Sequence, residues 1–588
     1  MNTKIELRDI LECAITHWLR PNLSADQQVN LDETTINQVL ALADQIGREK
    51  LLPSARILDV QPPEIVDGFV RTPAALKASL EALAEAGFFA PNTSSARGGI
   101  GLPILVSAAT SALFASYDAP TFGYCMLTTG VANLLHSFGT ADQRARFLAP
   151  LESGRFFGTM CLSEPHAGSS VGDVRTSARA LPDGRYQLRG SKMWISGCEH
   201  ELSENIIHMV LARVEGAPAG SKGLSLFIVP RFQFDANGST DRSLPNGVEL
   251  VALNHKMGYR GTVNGALNFG GNRECIGELL GPLHGGMACM FQMMNEARIA
   301  VGIGAAAIGW RGYQIARDYA HERTQGRTLS QPNPLNPPVP IIQHTDVKRM
   351  LIKARAQSEA ALALCLYGAQ LVDQPDNKAA QQRLSLLTPI MKSWPSKYAL
   401  EANDLAIQVL GGAGYTQDWP VEKLYRDNRL NPIHEGTHGI QALDLLLRKL
   451  LGDSGRALNL LLIDIEVSAA KAIALQSTSG IALAQVCQRI HAKVQQLSTK
   501  LPAWVELFQQ NPNQVAAQAS LVLDALGTCV ACWLSADFAC ATHQHPLHQR
   551  LLDNVTYLAH FELPVAFATL DCAFATSGFL VGLEAGTI

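Results

Sequence analysis

The sequence predicts an α+β protein that is mainly helical, with one β domain set between helical domains. The 588 residues are 47% hydrophobic and 17% charged, so the chain can bury several cores. Aromatic residues make up only 6%, which favours helix over strand. Short β-branched runs separated by Gly and Pro turns are confined to residues 156–282, whereas helical periodicity prevails on both sides of them.

Changes in this periodicity divide the chain into four predicted domains. They are an N-terminal helical domain (1–155), a middle β-barrel domain (156–282), a C-terminal four-helix bundle (283–455) and an additional C-terminal helical domain (456–588). The first helix of the bundle is rich in Gly and Ala, which suits close packing between helices. In the last domain we expect helix breaks near Pro502, Pro512 and Pro546.

Charge and cysteine usage exclude several classes of protein. The net charge is −4, which argues against a strongly basic nucleic-acid binder. The 12 cysteines are scattered and follow a charged N-terminus, so we expect reduced thiols and a cytoplasmic protein. Cys529 and Cys532 form a C-x-x-C pair, but the second pair of a zinc site is missing. We therefore expect helix packing there and no metal.

We expect no membrane span. No uninterrupted apolar run reaches the ~18 residues that a spanning helix needs. The best candidate, Ile299–Trp310, has 12 residues and lies between Arg298 and Arg311.

Two features of the β domain could bind a planar ligand, although each has a plainer interpretation. The stretch MCLSEPHAGSS (160–170) offers hydroxyls and backbone N–H groups, yet Ser/Gly loops are usually only turns. Trp194 lies in a predicted strand, KMWIS, where a single Trp most often belongs to the core.

Taken together, four ordered segments resemble the acyl-CoA dehydrogenase family. They are GTMCLSEPHAGSS followed by Trp194, HER followed by IIQHTDVKRML, QVLGGAGYT, and IHEGTHGIQ. The resemblance covers about residues 70–450. Residues 198–230 resemble the subgroup with an extra C-terminal helical domain, which includes the 3-(methylthio)propanoyl-CoA dehydrogenases.

The resemblance implies FAD-dependent α,β-dehydrogenation of an acyl-CoA thioester to a trans-2-enoyl-CoA. A base removes the α-proton, and flavin N5 accepts the β-hydride. The family also implies an electron-transferring flavoprotein as electron acceptor, and a homodimer or dimer of dimers. The acyl-chain length, and whether the chain contains sulfur, stay open.

Glu435 is the predicted base. A Glu next to a Gly is usually a solvated surface residue, but the ordered motifs favour catalysis here. Gly436 would let a substrate approach, and partial desolvation would raise the carboxylate pKa toward neutrality. The competitor is Glu296, since some relatives carry their base one position later, where this chain has Ala297.

The resemblance also assigns binding roles. Residues implied to bind FAD are Met160, Leu162, Ser163, Gly168, Ser169, Trp194, Ile195, Ser196, Arg323, His344, Gln408, Gly411, Gly412 and Thr437. Those implied to bind the acyl-CoA are Ser169, Asn295, Arg298 and Gly436. Arg323, His344 and the Gln408–Gly412 turn would serve the FAD of a neighbouring subunit; the alternative is an Arg paired with a helix carboxylate, or a buried His. His438 and Gly439 depart from the family pattern, which has Ser or Ala and then Gln.

Two rival functions share the scaffold. An acyl-CoA oxidase would use the same base with oxygen as acceptor; the terminal EAGTI, which is not a peroxisomal address, weakly favours a dehydrogenase. A flavin-bearing, DNA-binding alkylation-response protein would need a basic C-terminal domain. Residues 461–588 carry five Lys and Arg against nine Asp and Glu, which argues against that class.

Overall fold

The computed structural model describes residues 4–20, 32–94, 99–235, 237–330, 332–575, 578–584 and 586. Their contacts form two compact units. The sheet unit contains the described residues of 45–102 and 117–297. The helical unit contains the described residues of 1–44, 103–116 and 298–588.

All strands found in the described residues belong to the sheet unit. They are β1 (Glu64–Val66), β2 (Phe69–Arg71), β3 (Phe156–Cys161), β4 (Ser177–Ala180), β5 (Tyr186–Ser196), β6 (Asn205–Val214), β7 (Leu224–Pro230), β8 (Phe232–Phe234), β9 (Thr240–Pro245), β10 (Val248–Leu253), β11 (Asn264–Phe269) and β12 (Cys275–Leu280).

Eight of these strands form one sheet that closes on itself. The order is β10-β11-β5-β12-β7-β6-β3, and β4 pairs with both β5 and β6. The strands β4, β5, β12, β7 and β6 therefore follow one another in a ring, which confirms the predicted β-barrel. β3 and β4 run parallel to β6, while the other pairs are antiparallel.

Helices flank the barrel in the chain. Before β3 the longer α-helices are Glu33–Ile46, Leu52–Val60, Ala74–Glu85, Ile104–Phe138 and Ala141–Glu152, with shorter helical turns at Leu7–Cys13, Ala14–Leu19 and Gly47–Leu51. After β12 the helices of the predicted bundle are Gly286–Glu322, Thr345–Val372, Lys378–Leu410, Val421–Asn428, His438–Leu443 and Asp444–Leu451. The C-terminal extension contains Arg456–Ala474, Thr478–Gln510, Pro512–Ala516, Ala519–Ala541, His548–Tyr557, Leu558–Glu562, Leu563–Phe574 and Phe579–Gly582. The mainly helical α+β class is confirmed.

The core of the sheet unit lies between the sheet and the helices that precede it. Val131, Leu135 and Phe147 pack there with Ile207 of β6 and Leu226 of β7, and all five are fully or almost fully buried. Full burial of such side chains stabilises a fold by about 1.5–3 kcal/mol each. This core supports β3, whose end begins the predicted flavin loop.

The helical unit is built on close contacts at small residues. A Cβ at Gly302 would lie 2.1 Å from the Met391 carbonyl oxygen, and one at Gly309 would lie 2.7 Å from the Ala399 Cβ. These glycines bring the Gly286–Glu322 helix against the Lys378–Leu410 helix, as the Gly/Ala-rich sequence predicted.

Three local features differ from the sequence-based expectations or complete them. β1 and β2 form an unpredicted hairpin around Asp67 and Gly68, whose positive φ values of 52° and 81° suit a two-residue turn. The prediction of a helix break near Pro502 is wrong, because the Thr478–Gln510 helix continues through this residue. Its neighbours Leu501 and Trp504 are buried and pack the helix at this point. Pro512 does begin a new helix.

One described segment, Pro512–Ala541, is long and apolar enough to cross a membrane, and this differs from the expected candidate. Within the protein, 72% of its most apolar window is buried, as in the core helices of many globular proteins. Cys529 and Cys532 lie buried in this segment. No group of three His, Cys, Asp or Glu that could hold a metal occurs among the residues the structure describes.

Candidate active site

The loop after β3 is fixed by a buried carboxylate. Glu164 accepts hydrogen bonds from the backbone N–H groups of Arg175 (2.8 Å) and Thr176 (3.0 Å) and from the Thr176 hydroxyl (2.6 Å). Lys192 Nζ, on β5, donates to Glu164 Oε1 and to the Leu162 carbonyl, both at 2.9 Å. Glu164 therefore ties the start of the loop to its end, and Lys192 ties the start to β5.

This ion pair lies in the interior, with the Glu164 side chain 3% and the Lys192 side chain 0% exposed. Burial alone would raise the pKa of Glu164, but Lys192 and the hydrogen bonds from Thr176 and Arg175 lower it to about 2. Glu164 is thus ionised at neutral pH. A paired charge of this kind holds its surroundings rigidly, because breaking it leaves an uncompensated ion.

The residues predicted to contact the flavin lie along this loop. Met160, Leu162 and Ser163 are half-buried, and Gly168 and Ser169 are exposed. A Cβ at Gly168 would meet nothing within 4 Å, so the loop presents an open backbone surface.

Trp194 is exposed because β5 contains a β-bulge. Between Lys192 and Ile195, which pair with Leu267 and Gly265, β5 has one residue more than β11. Trp194 adopts a positive φ of 65° at this point, and its side chain is 60% exposed. The bulge turns Lys192 and Ile195 inward and the indole outward. The core interpretation of Trp194 is wrong, and a flat aromatic surface is offered beside the loop.

Ser196, two residues on, is half-buried and accepts a 3.0 Å hydrogen bond from Asn264 Nδ2. The same amide donates to the Trp194 carbonyl at 3.1 Å, which stabilises the bulge. Ile195 is 2% exposed, so only its backbone can reach a ligand. Asn264 also lines a cleft of about 980 Å³ whose walls carry Arg71 and Lys256. The exposed indole, the open loop and this cleft with its two cations fit a ring-bearing, anionic cofactor such as FAD.

In the helical unit, Glu435 lies on a tightly fixed backbone turn. Glu435 and Gly436 have positive φ values of 53° and 91°. Gln441 Nε2 donates to the Glu435 carbonyl at 3.0 Å, and Lys392 Nζ donates to the Gly436 carbonyl at 2.6 Å. A Cβ at Gly436 would lie 2.6 Å from Gln441 Nε2, so this contact requires glycine. Thr437 caps the following helix by accepting from the Ile440 N–H at 3.4 Å.

The Glu435 carboxylate has an environment suited to a base. Burial raises the pKa of Glu435, and the cations Lys392 and Arg298 offset part of that rise. Burial also lowers the pKa of Lys392 to about 7. Arg298 is 5% exposed and pairs with Asp444 at 3.1 Å. Arg298 therefore contributes to the field around Glu435, while its predicted contact with the acyl-CoA stays a prediction.

A row of buried amides supports the segment before the base. Asn403 Nδ2 donates to the Ile308 carbonyl at 3.0 Å, and Asn428 Nδ2 donates to Asn403 Oδ1 at 2.7 Å. Asn431 Nδ2 continues to Asn428 Oδ1 at 2.9 Å, and its own Oδ1 lies 3.0 Å from His434 Nε2. The row connects the middle of the Gly286–Glu322 helix to the residue before Glu435.

The residues predicted to serve a neighbouring subunit lie on exposed parts of the helical unit. Arg323 donates to the Gln325 side chain at 3.4 Å, and His344 Nε2 lies 2.7 Å from the Gln325 carbonyl oxygen. Arg323 thus contacts an amide rather than a helix carboxylate, and His344 is half-buried. Gln408, Gly411 and Gly412 are also exposed, and a Cβ on either glycine would meet nothing within 4 Å.

The competing carboxylate, Glu296, has a different environment in the sheet unit. Asn133 Nδ2 donates to it at 2.8 Å and Gln292 Nε2 at 3.5 Å. Burial raises the pKa of Glu296, and these two donors oppose the rise. Asn295, next to it, is exposed.

The sequence analysis did not identify four residues that form hydrogen bonds with the predicted site segments: Glu164, Lys192, Asn264 and Lys392. Glu164 and Lys192 could have been found from the sequence. A Glu stands within the Ser/Gly loop, and a Lys stands in the predicted strand two residues before Trp194, so an ion pair between the two segments was open to prediction. Lys392 had no such signal, because it lies in an unremarkable helix 44 residues from Gly436.

Models of a known family match most of the chain. The N-terminal, middle and C-terminal domains of acyl-CoA dehydrogenase match residues 42–155, 159–271 and 284–451. A 3-methylmercaptopropionyl-CoA dehydrogenase of Ruegeria pomeroyi is 35% identical over 91% of this chain and 90% of its own. A broad-specificity linear acyl-CoA dehydrogenase of Mycobacterium tuberculosis is 35% identical over 73% of this chain and 72% of its own.

Solved structures share the fold along almost the whole length, including the extension. Caenorhabditis elegans ACDH-11 in complex with C11-CoA aligns with a TM-score of 0.77 at 19% identity, covering 98% of this chain and 94% of its own. An acyl-CoA dehydrogenase of Bacillus anthracis complexed with FAD aligns with a TM-score of 0.70 at 19% identity, covering 96% and 91%.

Proposed function

Because this chain belongs to the acyl-CoA dehydrogenase family, and is therefore an FAD-dependent oxidoreductase acting on acyl-CoA, we propose that Glu435 is its catalytic base. Glu435 takes the α-proton of the thioester, the β-hydride leaves the substrate, and the Cα–Cβ bond becomes the trans double bond of a 2-enoyl-CoA. When bound, FAD supplies the two-electron acceptor for that hydride.

The observation that carries this proposal is the setting of Glu435 itself. Its backbone is held at two successive carbonyls, and burial raises its pKa. A raised pKa makes the carboxylate a stronger base while leaving it ionised above that pKa. Lys392 and Arg298 oppose part of that rise and so favour the ionised form that a base needs.

The residues of the sheet unit would hold FAD. The exposed Trp194 indole offers a stacking surface for a planar ring, and the Ser163 and Ser196 hydroxyls offer hydrogen bonds. The Gly168–Ser169 backbone leaves room for close approach. The Glu164–Lys192 pair keeps this loop in place whether or not a ligand is bound.

We infer a homodimer or dimer of dimers in which Arg323, His344, Gln408, Gly411 and Gly412 contact the FAD of a neighbouring subunit. The exposure of Arg323, Gln408, Gly411 and Gly412 supports this, as do the large apolar side chains near them in the chain: Leu329, Leu335 and Tyr415, which are 98%, 90% and 90% exposed. Light scattering of the FAD-loaded protein tests the assembly. A monomer that retains FAD would contradict it.

For the substrate and the acceptor, the relatives suggest where to start. One is named for 3-methylmercaptopropionyl-CoA and another for linear acyl-CoA, so a panel of straight-chain and sulfur-containing thioesters is the first choice. We propose an electron-transferring flavoprotein as acceptor, in the cytoplasm. Reoxidation of the reduced protein by such a flavoprotein and by air, compared in stopped flow, separates a dehydrogenase from an oxidase.

The experiment that tests the base compares Glu435→Gln with Glu296→Gln in anaerobic flavin reduction by the best thioester of the panel. We expect Glu435→Gln to retain its yellow FAD and to lose about 10²–10⁴-fold in the reduction rate, since that is what a positioned base contributes. Glu296→Gln keeps an acceptor oxygen for Asn133 and should change the rate by less than about tenfold. Near-normal reduction in Glu435→Gln, or a collapse confined to Glu296→Gln, would exclude this assignment.

A further inference from the structure

The C-terminal extension, residues 456–588, reaches the base segment through one carboxylate. Asp524 lies on the Ala519–Ala541 helix, which packs against the His438–Leu443 helix. Its Oδ1 lies 3.3 Å from His438 Nε2, and its Oδ2 accepts a 2.6 Å hydrogen bond from Lys397 Nζ. Burial would raise the pKa of Asp524, but His438 and Lys397 hold it below its usual value. An ionised carboxylate therefore faces the imidazole.

His438 is held from its other side as well. Ser393 Oγ lies 2.5 Å from His438 Nδ1, and Ser393 is 1% exposed. A carboxylate facing Nε2 favours the tautomer that carries its proton there, so Nδ1 accepts from the Ser393 hydroxyl. The ring therefore lies between the Ser393 hydroxyl of the Lys378–Leu410 helix, at hydrogen-bond distance, and the Asp524 carboxylate of the extension, at 3.3 Å.

His438 is the first residue of the His438–Leu443 helix, which follows the base Glu435. His438 is three residues from Glu435, and Lys392, the neighbour of Ser393, holds the Gly436 carbonyl between them at 2.6 Å. The segment from Glu435 to His438 is therefore anchored at two points. Since a displacement of about 1 Å in a catalytic group can cost 10²-fold in rate, anchoring of this kind bears directly on the base.

We propose that Asp524 is a positioning residue: by holding His438 it fixes the backbone that carries Glu435, so the extension takes part in the reaction. The inference rests on the proposed role of Glu435 as base. Asp524 acts through His438 and not on the acyl-CoA. It also gives a reason for the departure of His438 from the family pattern, because the imidazole lies between Ser393 and Asp524 of the extension.

The chain offers a matched control for Asp524→Asn. Asp464 is also a carboxylate of the extension, and it pairs with Arg383 of the same bundle helix at 2.5 Å. The two side chains are 18% and 19% exposed. Asp464→Asn thus removes an equivalent contact between extension and bundle without touching the base segment. Lys397→Met removes the lysine pair of Asp524 and leaves the contact with His438.

Two readouts on FAD-loaded protein test the proposal. In hydrogen exchange measured by mass spectrometry, peptides covering residues 433–443 should exchange about tenfold faster in Asp524→Asn and unchanged in both controls. The limiting rate of flavin reduction by butyryl-CoA should fall about tenfold or more, with the half-saturating concentration unchanged. A lower limiting rate with an unchanged half-saturating concentration indicates a misplaced base. General loss of folding in Asp524→Asn would instead lower its thermal midpoint below that of Asp464→Asn.

Exchange in Asp524→Asn equal to that of Asp464→Asn would overturn the proposal. If Asp524→Asn does not fold, His438→Phe decides: it removes both ring nitrogens and keeps the Asp524–Lys397 pair, so faster exchange supports the proposal and unchanged exchange refutes it. If no thioester reduces the wild-type flavin, the proposed function fails, whereas the exchange comparison still decides whether Asp524 holds the base segment.

Discussion

Glu435 and Lys392 form an electrostatic pair around one backbone turn. Lys392 donates to the Gly436 carbonyl and lowers the pKa of Glu435 against the effect of burial. The base must be ionised to act, so the reduction rate should rise as the pH passes upward through the raised pKa of Glu435 and level off above it. Burial lowers the pKa of Lys392 to about 7, so this cation begins to lose its proton near neutral pH.

Lys392→Met should therefore move the acidic limb of the pH–rate profile to higher pH, by about one unit. Removing the cation leaves the buried carboxylate less stabilised, which raises its pKa. The measurement is the first-order rate of flavin reduction across the pH range in which the variant is folded. Lys353→Met removes another half-buried cation, which pairs with Glu401, and should leave the limb in place. An unchanged or downward shift in Lys392→Met would refute the pairing.

At the scale of elements, the loop after β3 and the bulge in β5 act together. Lys192, before the bulge, points inward to Glu164, while Trp194, within it, points outward. In a regular strand these two residues would share one face. Because of the bulge, β5 binds the loop through the buried Lys192 and also presents the Trp194 indole on its exposed side.

Glu164→Gln should destabilise the protein by about 3–5 kcal/mol, because it leaves Lys192 as a buried unpaired charge. The pKa of Glu164 is lowered from its usual value to about 2, so its stabilisation is complete above the unfolded-state pKa and is lost as the pH falls through the folded value. Urea unfolding at neutral pH measures the loss, and FAD content should fall with it.

Glu204→Gln serves as the comparison, since Glu204 pairs with Arg155 at the surface, with side chains 51% and 58% exposed. Its removal should cost less than about 1 kcal/mol. Equal destabilisation by the two substitutions would show that the buried pair does not hold the loop.

These elements also show what could be predicted from sequence. The four ordered segments predicted the family, which the comparisons confirm, and the change of periodicity at residue 156 predicted the barrel. The family resemblance placed Trp194 at the flavin, but the bulge that turns it outward was not predictable from the strand pattern, because it depends on a register shift against β11, about 70 residues away. The β1–β2 hairpin had a signal that was missed: Asp-Gly between two short apolar runs.

At the scale of the whole molecule, the extension is joined to the bundle by buried polar contacts as well as by apolar packing. Glu359 is 5% exposed and accepts hydrogen bonds from Arg550 Nε at 3.0 Å and from Asn554 Nδ2 at 2.6 Å. Trp394 Nε1 donates to Thr528 Oγ1 at 3.0 Å. The partners lie more than 100 residues apart in the chain, so neither composition nor local pattern could have predicted them.

Arg550→Ala should lower the free energy of unfolding by about 3–5 kcal/mol, because the buried Glu359 loses its cation. Chemical denaturation followed by circular dichroism measures this loss. Arg349→Ala, which breaks an exposed pair with Asp346, should cost less than about 1 kcal/mol. If Arg550→Ala unfolds like wild type, the extension is not held by this contact.

The most direct test of the central claim follows the α-proton itself. Wild-type protein, loaded with FAD and kept anaerobic, is offered butyryl-CoA deuterated at Cα, and the rate of flavin reduction is compared with that of the undeuterated thioester. The account predicts a clear slowing by deuterium in the wild type, and in Glu435→Gln a loss of both reduction and deuterium release to water. Undiminished release of deuterium by Glu435→Gln would show that another group removes the proton.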